Sequence, residues 1–181
     1  MVQEIIIAGF GGQGVMLMGQ LIAYAGMLEN KNVSWIPSYG PEMRGGTANC
    51  SVIVSDSIIG APIVSEPNLL IAMNLPSLDK FMPLIKSGGM AIVNSSLIDS
   101  VPNRSDINII KVKANDIANQ LGNSKVANMV MLGSLLEATK VVSGESVMKA
   151  FSKLFANRPE LVGMNQKAMA FGQSHVSESN L

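Results

Sequence analysis

Glu4-Ile5-Ile6-Ile7-Ala8-Gly9-Phe10-Gly11-Gly12-Gln13-Gly14 decides the reading of this chain. A short apolar strand ends in a turn with glycines at 9, 11 and 14 and opens directly onto a helix. In such a turn glycines permit the tight bend, the close approach of a ligand and close packing of helix on strand. The N–H groups and positive dipole end at the helix start favour an anion. The same turn also serves purely to pack a first helix on a sheet, so this run alone leaves cradle and packing device equally open.

Downstream of the turn, helix and strand signals alternate, the pattern of a parallel sheet covered by helices. Strands are expected at 4–8, 32–36, 68–73, 90–93 and 107–112, and helices at 14–29, 77–85, 115–121, 125–139, 145–155 and 160–171. Ser124 is the expected N-cap of the 125–139 helix. Segments 47–55 and 57–64 are both β-rich and flank Asp56-Ser57, which reads as a hairpin inserted into the alternation. The predicted fold is α/β, a Rossmann-like, doubly wound, mostly parallel sheet with an inserted β-hairpin. It forms one domain over 4–172, and a tail without periodicity, expected to be mobile, follows over 173–181.

Composition bounds the partners. The 181 residues carry 13 basic and 13 acidic side chains, so net charge gives no attraction to nucleic acid or an anionic membrane. Only 14% of residues are charged and 48% are hydrophobic, against roughly 25% charged in an average soluble domain. Such a surface is best accommodated against partner chains. Cys50 is the sole cysteine, which rules out an internal disulfide, a zinc site or an iron–sulfur cluster built from this chain alone. No signal peptide is evident, so a reducing cytoplasm is the default. The apolar stretch 15–28 falls short of the roughly 20 residues that span a bilayer.

Candidate chemistry is sparse. A nicotinamide site needs an acidic residue at the end of the second strand, roughly 20 residues past the glycines. Glu29 has the offset but belongs to the end of the helix, which argues against NAD or FAD. Pro41-Glu42-Met43-Arg44-Gly45-Gly46 leaves the second strand at the edge where open α/β sheets bind ligands. Arg44 there is suited to a bidentate clamp on phosphate or carboxylate, or to an ion pair with Glu42 or a partner chain. Asn94-Ser95-Ser96 reads first as a helix cap and second as a lining of the same edge. Cys50 reads as a buried structural thiol. Asp56, Asp79, Asp99, Asp106 and Asp116 fall at turns or helix starts, where capping accounts for them. The only histidine, His175, lies in the tail, which argues against a Ser/His/Asp triad.

Gly9-Phe10-Gly11-Gly12-Gln13-Gly14-Val15 followed by Ser38-Tyr39-Gly40-Pro41-Glu42-Met43-Arg44-Gly45-Gly46-Thr47-Ala48-Asn49-Cys50 resembles the gamma subunit of 2-oxoacid:ferredoxin (acceptor) oxidoreductases. The resemblance runs from about residue 4 to residue 173 and is nearest to the 2-oxoglutarate type, 2-oxoglutarate synthase, with the pyruvate and branched-chain types close behind. It implies a multi-subunit complex that oxidatively decarboxylates a 2-oxoacid to its acyl-CoA and passes electrons to ferredoxin, flavodoxin or a similar acceptor. It implies alpha, beta and ferredoxin-like delta subunits as partners, with contact between two copies of this chain left open. Thiamine diphosphate and magnesium are then expected on the alpha and beta subunits, and iron–sulfur clusters elsewhere in the assembly. This chain would be a non-catalytic subunit with no catalytic or metal-binding residue of its own. Coenzyme A is the ligand it would help to place, at Gly9, Gly11, Gly12, Gln13, Gly14 and Arg44. An independent nucleotide-cofactor oxidoreductase and a purely architectural subunit stand as alternatives.

Overall fold

In the computed structural model the described residues are 2–38 and 47–179. Six strands form one sheet: β1 (Val2–Phe10), β2 (Asn32–Ser38), β3 (Thr47–Ser55), β4 (Leu69–Ala72), β5 (Met90–Asn94) and β6 (Asn108–Val112), in the order β2-β3-β1-β4-β5-β6. β1, β4, β5 and β6 run parallel, as βαβ crossovers require. β3 is antiparallel to both β1 and β2. β1 and β2 therefore point the same way, with β3 wedged between them.

The antiparallel insertion is thus the β2–β3 pair, and the hairpin expected between 47–55 and 57–64 does not form. Residues 57–64 contain Gly60 and Pro62 and join no strand. Ile58 and Ile63 instead stand out on the surface, at 90% and 74% exposure, while Val64 packs against the smaller core.

Among the described residues six α-helices accompany the sheet: α1 (Val15–Leu28), α2 (Leu75–Phe81), α3 (Ala114–Gln120), α4 (Ala127–Thr139), α5 (Gly144–Leu154) and α6 (Glu160–Ser179). One face carries the large core, where Ile5, Ile7, Cys50, Val52 and Ile71 of the strands meet Met18, Leu21 and Ile22 of α1, Met129 and Leu132 of α4 and Phe151 of α5. The other face is covered by α2 and the following 3-10 turn Met82–Leu84, whose Leu78, Phe81 and Met82 pack on Ile6, Ala8, Leu70 and Val93. The alternation Ile5/Ile7 against Ile6/Ala8 follows from the two-residue period of a strand buried on both sides.

The segment expected to be a tail is the end of α6. Ser179 is its last residue, and Val176 is 1% exposed. The helix puts Ala168 and Met169 into the large core and is also held by close backbone contact. A Cβ on Gly133 would lie 2.0 Å from the Met169 carbonyl oxygen, and one on Gly172 would lie 2.0 Å from that of Val130. Ser134 seals the crossing by donating from its Oγ to the carbonyls of Val130 and Gly172, both at 3.1 Å.

The helix caps differ from expectation as well. Asn123, not Ser124, accepts from the Lys125 N–H at the 3-10 turn Ser124–Val126 that leads into α4. Asn74 and Ser143 cap α2 and α5, and Asp79 lies within the body of α2. Asn and Ser do the work that was assigned to aspartates because all of them place an oxygen at the same reach from an exposed N–H.

Candidate functional site

The carboxyl ends of β1, β4, β5 and β6 share one edge of the sheet. After β1 the chain turns to α1 on one face, and after β4 it turns to α2 on the other. That reversal opens a crevice at the strand ends, where open α/β sheets bind ligands. The Gly11–Gly14 turn lies on this rim. Ser38 of β2 and Thr47 of β3 also end at this edge, in register with Asn49 and Phe10 respectively. Glu42 and Arg44, with the loop that carries them, lie outside the described residues, although both ends of that loop flank the glycine turn.

The glycines are needed for different reasons. Gly9 is buried, and a Cβ there would strike Gln13 Oε1 at 2.7 Å and Met73 Cβ at 2.8 Å. Gly12 and Gly14 have φ of 89° and 74°, the left-handed region that side chains disfavour. Gly11 has no positive φ, and a Cβ placed there would meet no described atom within 4 Å. Among the described residues, then, nothing in the fold demands a glycine at 11. Neither Gly11 nor Gly12 donates its backbone N–H to another described residue.

Gln13 staples the turn shut. Its Oε1 accepts from the Phe10 N–H at 2.6 Å and from Asn74 Nδ2 at 3.1 Å, while its Nε2 reaches the Met73 carbonyl at 3.5 Å. Both ends of its amide are therefore engaged inside the protein. Asn94, fully buried at the end of β5, donates from Nδ2 to the same Met73 carbonyl at 3.3 Å and to Asn115 Oδ1 at 2.8 Å. Ser96 accepts from the Asp116 N–H in the first turn of α3. The Asn94-Ser95-Ser96 cluster thus supports a helix start at the carboxyl end of β5.

Between the glycine turn and the Ser124–Val126 turn lies a cleft of about 260 Å³, lined by Gly12, Gln13, Asn115, Lys125 and Asn128 among others. Its described lining contains one charged side chain, Lys125, and no carboxylate. Asn128 is only 5% exposed, and its Oδ1 has no hydrogen-bond partner among the described residues. The cleft offers amide and backbone donors beside an ammonium, a set that suits an oxyanion.

The other candidates lie elsewhere. Glu29 sits at the opposite edge, where α1 ends. Burial pushes its carboxyl up, but hydrogen bonds from the Ser143 N–H, at 2.7 Å, and from the Ser143 and Ser146 hydroxyls, together with Lys31, outweigh it and hold the group below its ordinary value. It ties α1 to the start of α5 and is remote from any ribose site. Burial pushes the Cys50 thiol up to about 12, and its Sγ lies 3.6 Å from the Val15 carbonyl, so it is a packed thiol rather than a metal ligand. His175 Nε2 lies 3.1 Å from the Lys111 carbonyl, where α6 meets β6. Among the described residues no group of three His, Cys, Asp or Glu side chains is placed to hold a metal ion, and no helix is long and apolar enough to cross a membrane.

Residues 4–174 match the family described as pyruvate ferredoxin/flavodoxin oxidoreductase. The chain belongs to this family. Its similarity to 2-oxoglutarate synthase subunit KorC of Methanocaldococcus jannaschii is 39% identity over 152 residues, covering 82% of this chain and 81% of that one. Ketoisovalerate oxidoreductase subunit VorA of Methanothermobacter thermautotrophicus is 36% identical over 174 residues, 96% of this chain. The match spans only 36% of VorA's own length. Among solved structures, the gamma subunit of a keto/oxoacid ferredoxin oxidoreductase from Geobacter sulfurreducens superposes with a TM-score of 0.83 at 32% identity, over 97% of this chain and 99% of that one. A 2-oxoglutarate:ferredoxin oxidoreductase chain from Magnetococcus marinus shares the fold, with a TM-score of 0.89 over 98% of this chain and 31% of its own length, at 22% identity.

The sequence pointed to the glycine turn but not to Lys125, Asn115 or Asn128, which lie about a hundred residues or more downstream. The one available signal was Asn128 itself, a polar residue in the otherwise apolar run of α4. A buried amide in such a helix needs a partner.

Proposed function

We propose that this chain is the gamma subunit of a thiamine diphosphate-dependent 2-oxoacid oxidoreductase of the 2-oxoglutarate type, which forms acyl-CoA and reduces ferredoxin or flavodoxin. The observation that carries this reading is the match to KorC over 82% of this chain and 81% of that one. The chain acts as a non-catalytic scaffold, and its partners are the alpha, beta and ferredoxin-like delta subunits. Thiamine diphosphate, magnesium and the iron–sulfur clusters belong to those partners. The one thiol here is buried and its pKa is raised to about 12, which does not fit a cluster ligand. The assembly is cytoplasmic.

Exposed apolar side chains support a life in a complex. Tyr24, Met27 and Leu28 on α1 and Leu154 on α5 line one exposed groove, and Ile58 and Ile63 project from the loop between β3 and β4. Charge-poor surface of this kind is costly to leave in water.

Within the complex the glycine turn and Arg44 help to place coenzyme A, whose phosphates suit backbone donors and a guanidinium. The cleft beside Gly12 fits that ligand in its donor chemistry. A second reading, in which the turn is purely architectural, draws on Gln13, whose amide is consumed within the protein.

The test is purification of the tagged chain from its native cell, followed by an assay of ferredoxin reduction with 2-oxoglutarate and coenzyme A. Co-purifying thiamine-enzyme subunits and 2-oxoglutarate-dependent turnover are expected. Recovery of the chain alone, or turnover only with another 2-oxoacid, would overturn the assignment. Arg44→Ala and Gly12→Val are expected to raise the Michaelis constant for coenzyme A several-fold in an intact complex. An unchanged constant would favour the architectural reading.

A further inference from the structure

We infer that β2 is the seam of a homodimer, in which a second copy of this chain pairs β2 to β2 antiparallel about Ser34 and joins the two sheets into one. The backbone chemistry of the strand's free edge selects the occupant, and the inference does not rest on the function proposed above.

β2 is the terminal strand of the sheet and, among the described strands, pairs with β3 alone. Pro37 fixes which of its groups face outward. It stands opposite Cys50 and has no N–H to give, so that pair is a non-hydrogen-bonded one. Asn32, Ser34, Ile36 and Ser38 therefore exchange bonds with β3. Val33 and Trp35 turn their N–H and C=O groups away from the sheet, and no turn or loop of the described chain bonds to them. The open strip is bounded on both sides. Pro37 lacks a donor at one end, and at the other the Lys31 N–H is spent on the Gly26 carbonyl at 2.9 Å. Antiparallel pairing centred on Ser34 sets Val33 opposite Trp35 of the partner subunit, and Trp35 opposite Val33 of the partner subunit. Each such pair exchanges two N–H···O bonds. The same register sets Lys31 against Pro37 of the partner subunit, so the positions without a free donor face each other. One strip thus supplies both sides of the ladder, as an isologous contact requires.

The two edges of the sheet are treated differently. β6, at the far end, carries Lys111, and His175 Nε2 from α6 lies 3.1 Å from the Lys111 carbonyl. A lysine and a covering helix are the means by which native sheets keep added strands off an edge left in water. β2 has no charged side chain, and its register with β3 runs unbroken by a bulge. Only Pro37 restrains it, and Pro37 leaves 33–35 open. The flanks of the seam are apolar. α1 lies directly over the strand, where a Cβ on Gly26 would sit 2.6 Å from Val33 Cγ1 and one on Gly19 2.8 Å from Trp35 Nε1. Met27, next to Gly26, is left exposed there. On the opposite face Ile36 is exposed and falls opposite the uncharged Asn32 of the partner subunit.

The experiment puts charges and then thiols at Ser34, whose two copies meet on the axis. Sedimentation equilibrium of the full chain is run for wild type, Ser34→Lys, Ser34→Asp and an equimolar mixture of the two variants, with thermal melts confirming that each is folded. Wild type is expected to dimerise. Each variant alone sets like charges directly opposite, and its dimer dissociation constant is expected to rise at least about fivefold, while the mixture associates as tightly as wild type or tighter. In the intact complex, oxidised Ser34→Cys is expected to yield a disulfide-linked pair of this chain. The Cα atoms of a non-hydrogen-bonded antiparallel pair lie about 4.5 Å apart, within disulfide reach. Wild type that stays monomeric, variants that dimerise as wild type does, or a mixture no tighter than its parts overturns the seam. An intact complex without the cross-link overturns it too, and slowed amide exchange at Val33 and Trp35 in that complex would then assign the edge to a strand of another chain.

Discussion

Asn128 and Gly14, separated by 114 positions in the chain, are in contact so close that the glycine's missing side chain is what makes room for the amide. A methyl group at 14 would lie 2.4 Å from Asn128 Nδ2 and 2.8 Å from its Cγ. Gly14→Ala therefore meets two penalties at once, a left-handed φ of 74° and an overlap with a buried side chain. We expect it to lower unfolding stability by about 3 kcal/mol. Gly12→Ala, at φ 89° but facing open space among the described residues, is expected to cost roughly 1 kcal/mol. Urea denaturation of the two variants checks the order, and equal losses would show that the contact with Asn128 does not constrain the turn.

The close approach of α4 and α6 is set by two glycines. Each brings its helix against the other's backbone, at Met169 and Val130. Backbone cannot rotate away as a side chain can. Gly133→Ala and Gly172→Ala are each expected to cost at least about 3 kcal/mol or to block folding. Removal of residues 173–179 is expected to destabilise the whole domain, since it strips the buried Val176 from the core. A truncated chain with an unchanged melting temperature would contradict this.

These two contacts mark the limit of what the sequence discloses. The β1–turn–α1 unit was legible because its strand, glycines and helix are adjacent and each has a local signature. So was the parallel alternation through β4, β5 and β6. Strand pairing was not. Both 47–55 and 57–64 have β-branched residues, and only the sheet shows that the first wedges between β1 and β2 while Gly60 and Pro62 keep the second outside. Residues 173–179 lack apolar periodicity because one buried side chain, Val176, and the Ser134–Gly172 contact just before it fasten that end of α6. The rim was legible on the side of the glycine turn alone. Lys125 looks like any helix-start lysine until α4 is packed beside Gly12.

On the far face, Arg104 forms a two-pronged pair with Asp106 and also donates to the carbonyls of Met82 and Ile85, at 2.9 and 3.1 Å. The hydrogen bond from Arg104 holds the Asp106 carboxyl at about 2, below its ordinary value. A depressed folded-state value means that the stabilisation is fully present above the unfolded value near 3.8 and is lost as pH falls toward 2. The melting temperature of wild type is therefore expected to drop across that window. Asp106→Asn is expected to melt lower at neutral pH and to lose less on acidification. Parallel pH profiles for the two proteins would show that the pair contributes nothing.

Gln13 separates a stapling role from a ligand-binding one. Its Oε1 holds the Phe10 N–H and Asn74 Nδ2, and Asn74 in turn caps α2 through the Ser77 N–H, so one amide couples the turn after β1 to the turn after β4. Gln13→Ala breaks both acceptor bonds and is expected to cost about 1–2 kcal/mol. Gln13→Glu keeps the acceptor for Phe10 and Asn74 but turns the long donation to the Met73 carbonyl into an oxygen–oxygen repulsion, so its stability loss is expected to be about 1 kcal/mol. It nevertheless sets a negative charge on the wall of the Lys125 cleft. The Michaelis constant of the intact complex for coenzyme A is then expected to rise about tenfold. If Gln13→Glu leaves that constant unchanged, the architectural reading of the turn is favoured. If Gln13→Ala leaves stability untouched, the staple does not hold the rim together.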